Sequence, residues 1–489
     1  MRLLSTLAVA GVLLFTRAEA GNVFVRSVEQ FEKYVLRLAP GDTIKLRSGD
    51  DEWRDVNLVF EGEGEPGKPI VLAAQRAGET VFTGRSRLRI LGRHLVVSGL
   101  VFRDGSLSGG SVISIGSRRG VSAQDCRLTN TAIIGYNPED RKVSYKWVSV
   151  YGKNNRVDYC YFVGQNHTGQ TLVVWLNDEP NGHRIDHNFF GGRQNLGWNG
   201  GETIRIGTSG RSMQNSRTIV EDNLFENCDG EVEIISVKSC ENVIRRNAFV
   251  SSAGTVTLRH GNRNRIVGNW FLGNGKARTG GVRVIGENHV VLNNHFEGLT
   301  GVGGRSAISL MSGVPDAALS SYWRVKGALI AHNTLIDCAS LFDIAFGAGG
   351  RGRTLAPRDV IITANLVAAA AENAIIVRDS SSVVKWLRNV WVGETDPGLD
   401  GFETRGTTFT RGELVSRPDD PAALTISAGD ESVSMDIDGQ PRRKGMAGCD
   451  VESDSPIRHF PPSRHFVGPD WMSKARPREC QSVVVATPN

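Results

Sequence analysis

The chain has 489 residues and a formal charge of +5, from 57 basic and 52 acidic side chains, with 57 glycines. This mild basic excess, with no block of like charge, gives no electrostatic footprint for nucleic acid; it tolerates an acidic partner without requiring one. The seven cysteines are scattered along the chain, which excludes a disulfide scaffold.

The first twenty residues, MRLLSTLAVAGVLLFTRAEA, have a basic start at Arg2, a short apolar run from Leu3 to Phe15 and an Ala18-Glu19-Ala20 cleavage site. They read as a secretory signal peptide, with Gly21 the first mature residue. The run is too short to span a bilayer, and no later run is long enough either. The expectation is an exported protein without a membrane partner. Next comes SVEQFEKYVLRLAPGDTIKL, in which Phe31, Tyr34, Val35 and Leu38 fall on one helical face. A short helix here would cap the open N-terminal end of a stacked β structure.

The central part of the chain is a repeat. The pattern apolar-x-x-Asn-x-aromatic recurs at Asn188, Asn223, Asn247, Asn269 and Asn294, with weaker copies at Asn333 and Asn365. A period in the low twenties built of short β-branched runs implies a solenoid, and the leucine-rich signature is missing. The reading is an all-β chain, a parallel β-helix over residues 21–395. In it the asparagines form a ladder at one turn and the residue two positions later stacks inward. The sequences AQDCRL and VDYCYF place Cys126 and Cys160 in the asparagine slot, so both are expected to be buried. Burial is also the expectation for Cys228, Cys240 and Cys338, which have no metal-ligand spacing. From about residue 396 the repeat fades into an irregular C-terminal tail, expected to pack on the last coils; there Cys449 and Cys480 could pair in an exported protein.

In a solenoid, sequence spacing becomes geometry, because successive coils lie about 4.8 Å apart. Lys238, Arg259 and Arg283 precede successive ladder asparagines by nearly equal offsets. Alternation along TIRIG, EVEII, TVTLR and GVRVI puts Arg205, Glu231, Glu233, Arg259 and Arg283 on one outer face, with His260 beside it. Lys238 has the wrong parity and joins them only if its strand bends or ends after Ile235. Any one of these residues alone is most simply a solvated surface charge. Together, two carboxylates at i and i+2 on a rigid strand are half of a hard-cation site, to which Asn199 in the preceding turn could add an amide oxygen.

The motifs NGGETIRIG, GEVEIISVKS, LRHG and GGVRV resemble those of family 6 polysaccharide lyases, which include alginate lyases and chondroitinase B. That resemblance implies a right-handed parallel β-helix and cleavage of an acidic polysaccharide by β-elimination at a uronic acid. It also implies Ca²⁺ held by Asn199, Glu231 and Glu233, Lys238 as catalytic base, Arg259 as acid or electrostatic stabiliser, and Arg205, His260 and Arg283 against substrate. The stretches are more like the alginate lyases, so alginate is the expected polymer. Dermatan sulfate, a non-catalytic acidic-glycan-binding β-helix and a β-helical glycoside hydrolase are the alternatives.

Overall fold

The computed structural model describes residues 21–49, 53–117, 122–369, 374–393, 397–412, 414–427, 433–451 and 453–472. The leader and Cys480, with its expected pairing to Cys449, lie outside them. Each coil contributes one strand to each of three parallel sheets; Ile219–Glu221, Leu224–Cys228 and Glu233–Lys238 make up one such coil. The sheets are called first, second and third in that order of passage. They contain 14, 13 and 13 strands, and along the run of coils each strand's neighbours are the strands one coil before and after it. This is a right-handed parallel β-helix. The second sheet carries one strand past the expected end of the coils, Phe402–Thr404.

The corner between the first and second sheets explains the repeat. Its leading residue is left-handed in coil after coil, as at Asp222 (φ 55°), Arg246 (φ 52°) and Asn293 (φ 55°). A left-handed backbone is unfavourable for such residues, and the asparagine that follows offsets the cost. The Asn247 side chain accepts from the backbone N–H of Asn223 at 3.1 Å, and the N–H of Asn247 donates to Asn269 Oδ1 at 3.0 Å. The chain of bonds runs from Cys160 through Asn188, Asn223, Asn247, Asn269, Asn294, Asn333 and Asn365 to Asn389. The aromatic residue two positions on stacks inward. Phe190, Phe225, Phe249, Phe271 and Phe296 lie 4.7–5.0 Å apart, centroid to centroid. Each buried ring contributes about 1.5–3 kcal/mol.

Cys160 does occupy the ladder slot; Cys126 does not. The first-sheet strand Arg127–Thr129 begins directly after Cys126 and pairs with Arg156–Asp158. Cys126 therefore lies before its strand, where its N–H donates to Asn155 Oδ1 at 2.8 Å, and the slot in its coil is Thr131. A second ladder runs at that opposite corner, with His183, Asn242, Asn264 and His289 as side-chain acceptors of backbone N–H groups. Both cysteines are buried, as are Cys228, Cys240 and Cys338.

The capping helix is Val28–Val35, with Ser27 accepting from the Gln30 N–H at its start. Phe31 is buried and Val35 and Leu38 pack on the core, but Tyr34 is exposed. The tail reaches farther than the last coils. Leu424, Ile426 and Ala447 pack on Leu366 and Val390; Ile437 and Cys449 pack on Trp270 and Leu272; Val467 packs on Phe189 and Leu224. Trp471 ends the path, donating to the Asn130 carbonyl at 2.9 Å. The tail thus runs back along the outer face of the second sheet, and the apolar residues on that face are the ones it covers. Among the described residues no helix is long and apolar enough to cross a membrane.

Candidate active site

The third sheet carries the chemistry, and two irregularities in its pairing set which side chains meet. Strand Glu233–Lys238 pairs with Ile204–Gly207 on one side and Thr255–His260 on the other. The register shifts between Glu233 and Ile235, so Ile234 is an extra residue and Ile235 and Val237 take the inward positions. This bulge resolves the parity of Lys238. The strand neither ends nor turns away after Ile235; it runs on, and the inserted residue returns Lys238 to the outer face. A second shift pairs Lys238 with His260 and skips Arg259. The expected column of Lys238, Arg259 and Arg283 is therefore not one row. Arg205, Ser236, Thr257 and Arg283 form one row, while Gly207, Lys238 and His260 form the next.

Three carboxylates converge. Glu202, Glu231 and Glu233 each place an oxygen within 4.8 Å of the others. A pair of glycines makes this approach feasible: a Cβ on Gly201 would lie 2.5 Å from the Gly230 carbonyl, and one on Gly230 would lie 2.1 Å from the Gly201 carbonyl. The residues that immediately follow, Glu202 and Glu231, are brought together by that backbone contact. Glu202 is a site residue that the sequence reading missed. Its place beside Gly201 and before an inward Ile204 is the only signal, a carboxylate at a position of core parity. Asn199, expected among the ligands, lies exposed on the turn three residues before it.

The carboxylates are unequally compensated. Glu233 is buried, bonded by Ser236 Oγ and paired with Arg283 Nη2 at 2.7 Å. Glu202 accepts from Gln170 Nε2 at 2.8 Å and faces Lys238 Nζ at 3.7 Å. Burial opposes its charge, but Lys238 and Gln170 hold its carboxyl below the ordinary range. Glu231 has no such partner. Among the described residues its Oε1 is buried without a hydrogen bond. Burial, then the charges of Glu202 and Glu233, push its carboxyl up to about 8. Three carboxylates with an orphaned oxygen are a donor set that fits a hard divalent cation.

The cations surround this trio in different ways. Lys238 is mostly buried, with 18% of its side chain exposed. Arg283, expected at the substrate, is committed to Glu233; both side chains are only 10% exposed. Arg205 lies over the Trp175 ring at 5.1 Å. Arg259 lies over the Tyr322 ring at 4.3 Å, with its Nη1 3.4 Å from His260 Nδ1. Tyr322 comes from a long connection after Ile308–Met311, which also brings the Leu319 carbonyl to Ser212 Oγ. No sequence signal marked it. His260 is buried beside Arg259 and Lys238, and burial first, then those charges, press its imidazole down to about 3. It is a neutral ring, not a cation, at ordinary pH. Lys146 is half-buried, and burial first, then the charge of Arg205, lower its pKa against the opposing effect of Glu202.

Fold and site together define a class: a right-handed parallel β-helix whose third sheet holds a carboxylate trio ringed by lysine and arginine. The family is established by comparison with known proteins. The chondroitinase B family model matches residues 25–395, and the chain belongs to that family, polysaccharide lyase family 6. Among solved structures it is similar to the family 6 alginate lyase AlyGC, with 37% identity and a TM-score of 0.84 over 93% of this chain. This chain spans only 59% of the length of AlyGC. A mannuronic acid specific family 6 lyase from human gut microbiota is 35% identical, with a TM-score of 0.71 over 79% of this chain and 91% of its own. The family 6 lyase Pedsa3628 of Pseudopedobacter saltans is 26% identical, with a TM-score of 0.73 over 92% of this chain and 99% of its own. No curated protein sequence matches.

Proposed function

We propose that this protein is an exported polysaccharide lyase that cleaves alginate by β-elimination at a uronic acid. The single observation that carries the reading is the carboxylate trio with Lys238 against it, on a fold whose similar solved structures include an alginate lyase and a mannuronic acid specific lyase. Glu202, Glu231 and Glu233, with the Asn199 amide as the further expected ligand, would hold Ca²⁺. When bound, the ion supplies Lewis acidity toward a substrate carboxylate and steadies the charge that develops beside it.

The chain's own residues do the rest. Lys238 Nζ takes the C5 proton of the uronate as a general base. The electrons of the C5–H bond become the C4–C5 double bond as the C4–O4 bond breaks, and the leaving O4 takes up a proton. Arg259 stabilises the negative charge that moves toward O4. Tyr322 fixes the plane of its guanidinium by stacking. His260 contributes a neutral hydrogen-bonding edge, and Arg205, backed by Trp175, offers a fork to a neighbouring carboxylate. Arg283 acts through Glu233, as a positioning residue.

The family model is described as chondroitinase B, and dermatan sulfate is the alternative substrate. Purified protein incubated with alginate and with dermatan sulfate separates the readings through ultraviolet absorbance of the unsaturated uronate. A rise with alginate alone is expected, and it should vanish in Lys238→Ala with the fold intact. A rise with dermatan sulfate alone moves the substrate assignment. No rise with either polymer sinks the lyase reading, and an unimpaired Lys238→Ala removes the base assignment.

A further inference from the structure

A cavity of about 400 Å³ opens on the outer face of the same sheet, toward its N-terminal coils, lined by Asn57, Arg87, Arg89, Ser111, Ser114 and Tyr151 among others. It is in register with the carboxylate site. Arg89 pairs with Ser114, Ser114 with Ser149, Ser149 with Val173, and Val173 with Arg205. Arg89 and Arg205 therefore lie in one row of the sheet, separated by four strand steps of about 4.8 Å, or roughly 19 Å. Arg89 is exposed and forms no ion pair among the described residues. Arg87 is tethered at the edge, Nη2 donating to the Gly109 carbonyl at 2.9 Å.

A built wall joins the two places. Arg205 covers one face of Trp175 at 5.1 Å, and Trp175 stacks on Tyr151 with centroids 5.7 Å apart and planes 8° from parallel. Trp175 Nε1 donates to Ser149 Oγ at 3.1 Å, and that hydroxyl is 2.7 Å from Ser111 Oγ. Tyr151 and Ser111 both line the cavity. Aromatic rings locked by such bonds are surfaces on which sugar rings lie at little entropic cost.

We propose that this cavity is a distal subsite of the groove, in which Arg87 and Arg89 bind a carboxylate of a polyuronate chain running along the sheet. One sugar ring and one inter-strand step are both about 5 Å long. A chain anchored at Arg205 therefore presents a carboxylate near Arg89 about four sugars away. The proposal rests on the polyuronate reading above and adds length dependence to it: long chains gain an anchor that short ones cannot reach.

The test compares wild type with Arg87→Ala/Arg89→Ala on size-fractionated oligouronates from trimer to octamer. The double variant should lose roughly tenfold in kcat/KM on the octamer, with the loss shrinking steadily toward the trimer. Arg89→Lys should recover part of it. An equal loss at every length, or none on the octamer, overturns the subsite. A second arm measures binding by calorimetry in a Lys238→Ala background. There the octamer-to-trimer affinity ratio should fall in the double variant, and an unchanged ratio overturns the subsite even if wild type forms no unsaturated product. Failure of the lyase reading is seen separately, in wild type alone.

Discussion

Arg283→Met is the substitution whose outcome the site's electrostatics determine most closely. Arg283 Nη2 is 2.7 Å from Glu233 Oε1, with each side chain 10% exposed. At that distance the gross attraction at an effective dielectric of 20 is about 6 kcal/mol, much of it spent on desolvation. Breaking such a pair by removing one partner costs about 3–5 kcal/mol, because the other charge is left buried and alone. Here the remaining charge is one of three converging carboxylates, so the cost belongs at the upper end when no cation is present. A divalent cation would replace the missing positive charge: both proteins gain by binding it, and the variant's deficit narrows by about 1.4 kcal/mol for each tenfold by which its more negative trio binds the ion more tightly than wild type does. The expected result is a variant clearly less stable than wild type in chelator, with part of the deficit recovered in excess Ca²⁺. Urea unfolding in both buffers gives the global figure. Amide exchange over residues 231–238 gives the local one, which matters because solenoids open in parts. A deficit that is the same with and without Ca²⁺, or no deficit in chelator, would refute the description of the trio as a cation site held in place by Arg283.

Three further outcomes are expected from the scaffold. Asn247→Ala should cost about 2–4 kcal/mol, since it orphans the buried Asn223 N–H and loses the amide's bonds to the Val220 carbonyl and Asn269; a urea midpoint within error of wild type would count against the ladder. Acid should destabilise the protein through the second ladder. Burial presses His183 down to about 3 and His289 to about 4, and each accepts a backbone N–H at Nδ1, which protonation would forbid. The unfolded chain takes up these protons first, so stability is full above about pH 6.5 and falls below it, by on the order of 2–4 kcal/mol at pH 5 for the two together. His289→Asn, which keeps an acceptor in the ladder but does not titrate, should flatten the slope by about one proton; an unchanged slope would contradict the assignment. Trp471→Ala should free the end of the tail, because the indole both covers Gly78 and bonds the Asn130 carbonyl. Limited proteolysis should then cut beyond about residue 460 at concentrations of protease that leave wild type intact; equal resistance would show that the indole is not the anchor.

The fold was legible in the sequence because its determinants are local and periodic. A left-handed corner residue, an asparagine and an inward aromatic recur within one short motif, and the spacing of Asn223, Asn247, Asn269 and Asn294 gives the coil length directly. The site was legible only as far as the same periodicity holds. Glu231, Glu233 and Lys238 could be placed on one face, but not the bulge at Ile234 that puts Lys238 there, since an inserted residue looks like any other isoleucine in the sequence. The same limit applies to Arg259, which the second bulge turns toward Tyr322, and to Arg283, whose parity was right but whose partner is Glu233. Glu202 was hidden by its core parity. Cys126 was misplaced because Asp-Cys-Arg-Leu resembles the motif of the wrong corner. The tail and Tyr322 depend on contacts between segments far apart in sequence, which no local pattern records.

The most direct test of the central claim is the mass of the products formed from a purified alginate tetramer. Elimination splits the chain without adding water, so the product masses should sum to that of the substrate, one product carrying an unsaturated uronate. Products that together exceed the substrate by one water would show hydrolysis, and an intact tetramer after prolonged incubation with Ca²⁺ would show that the protein is not an alginate lyase.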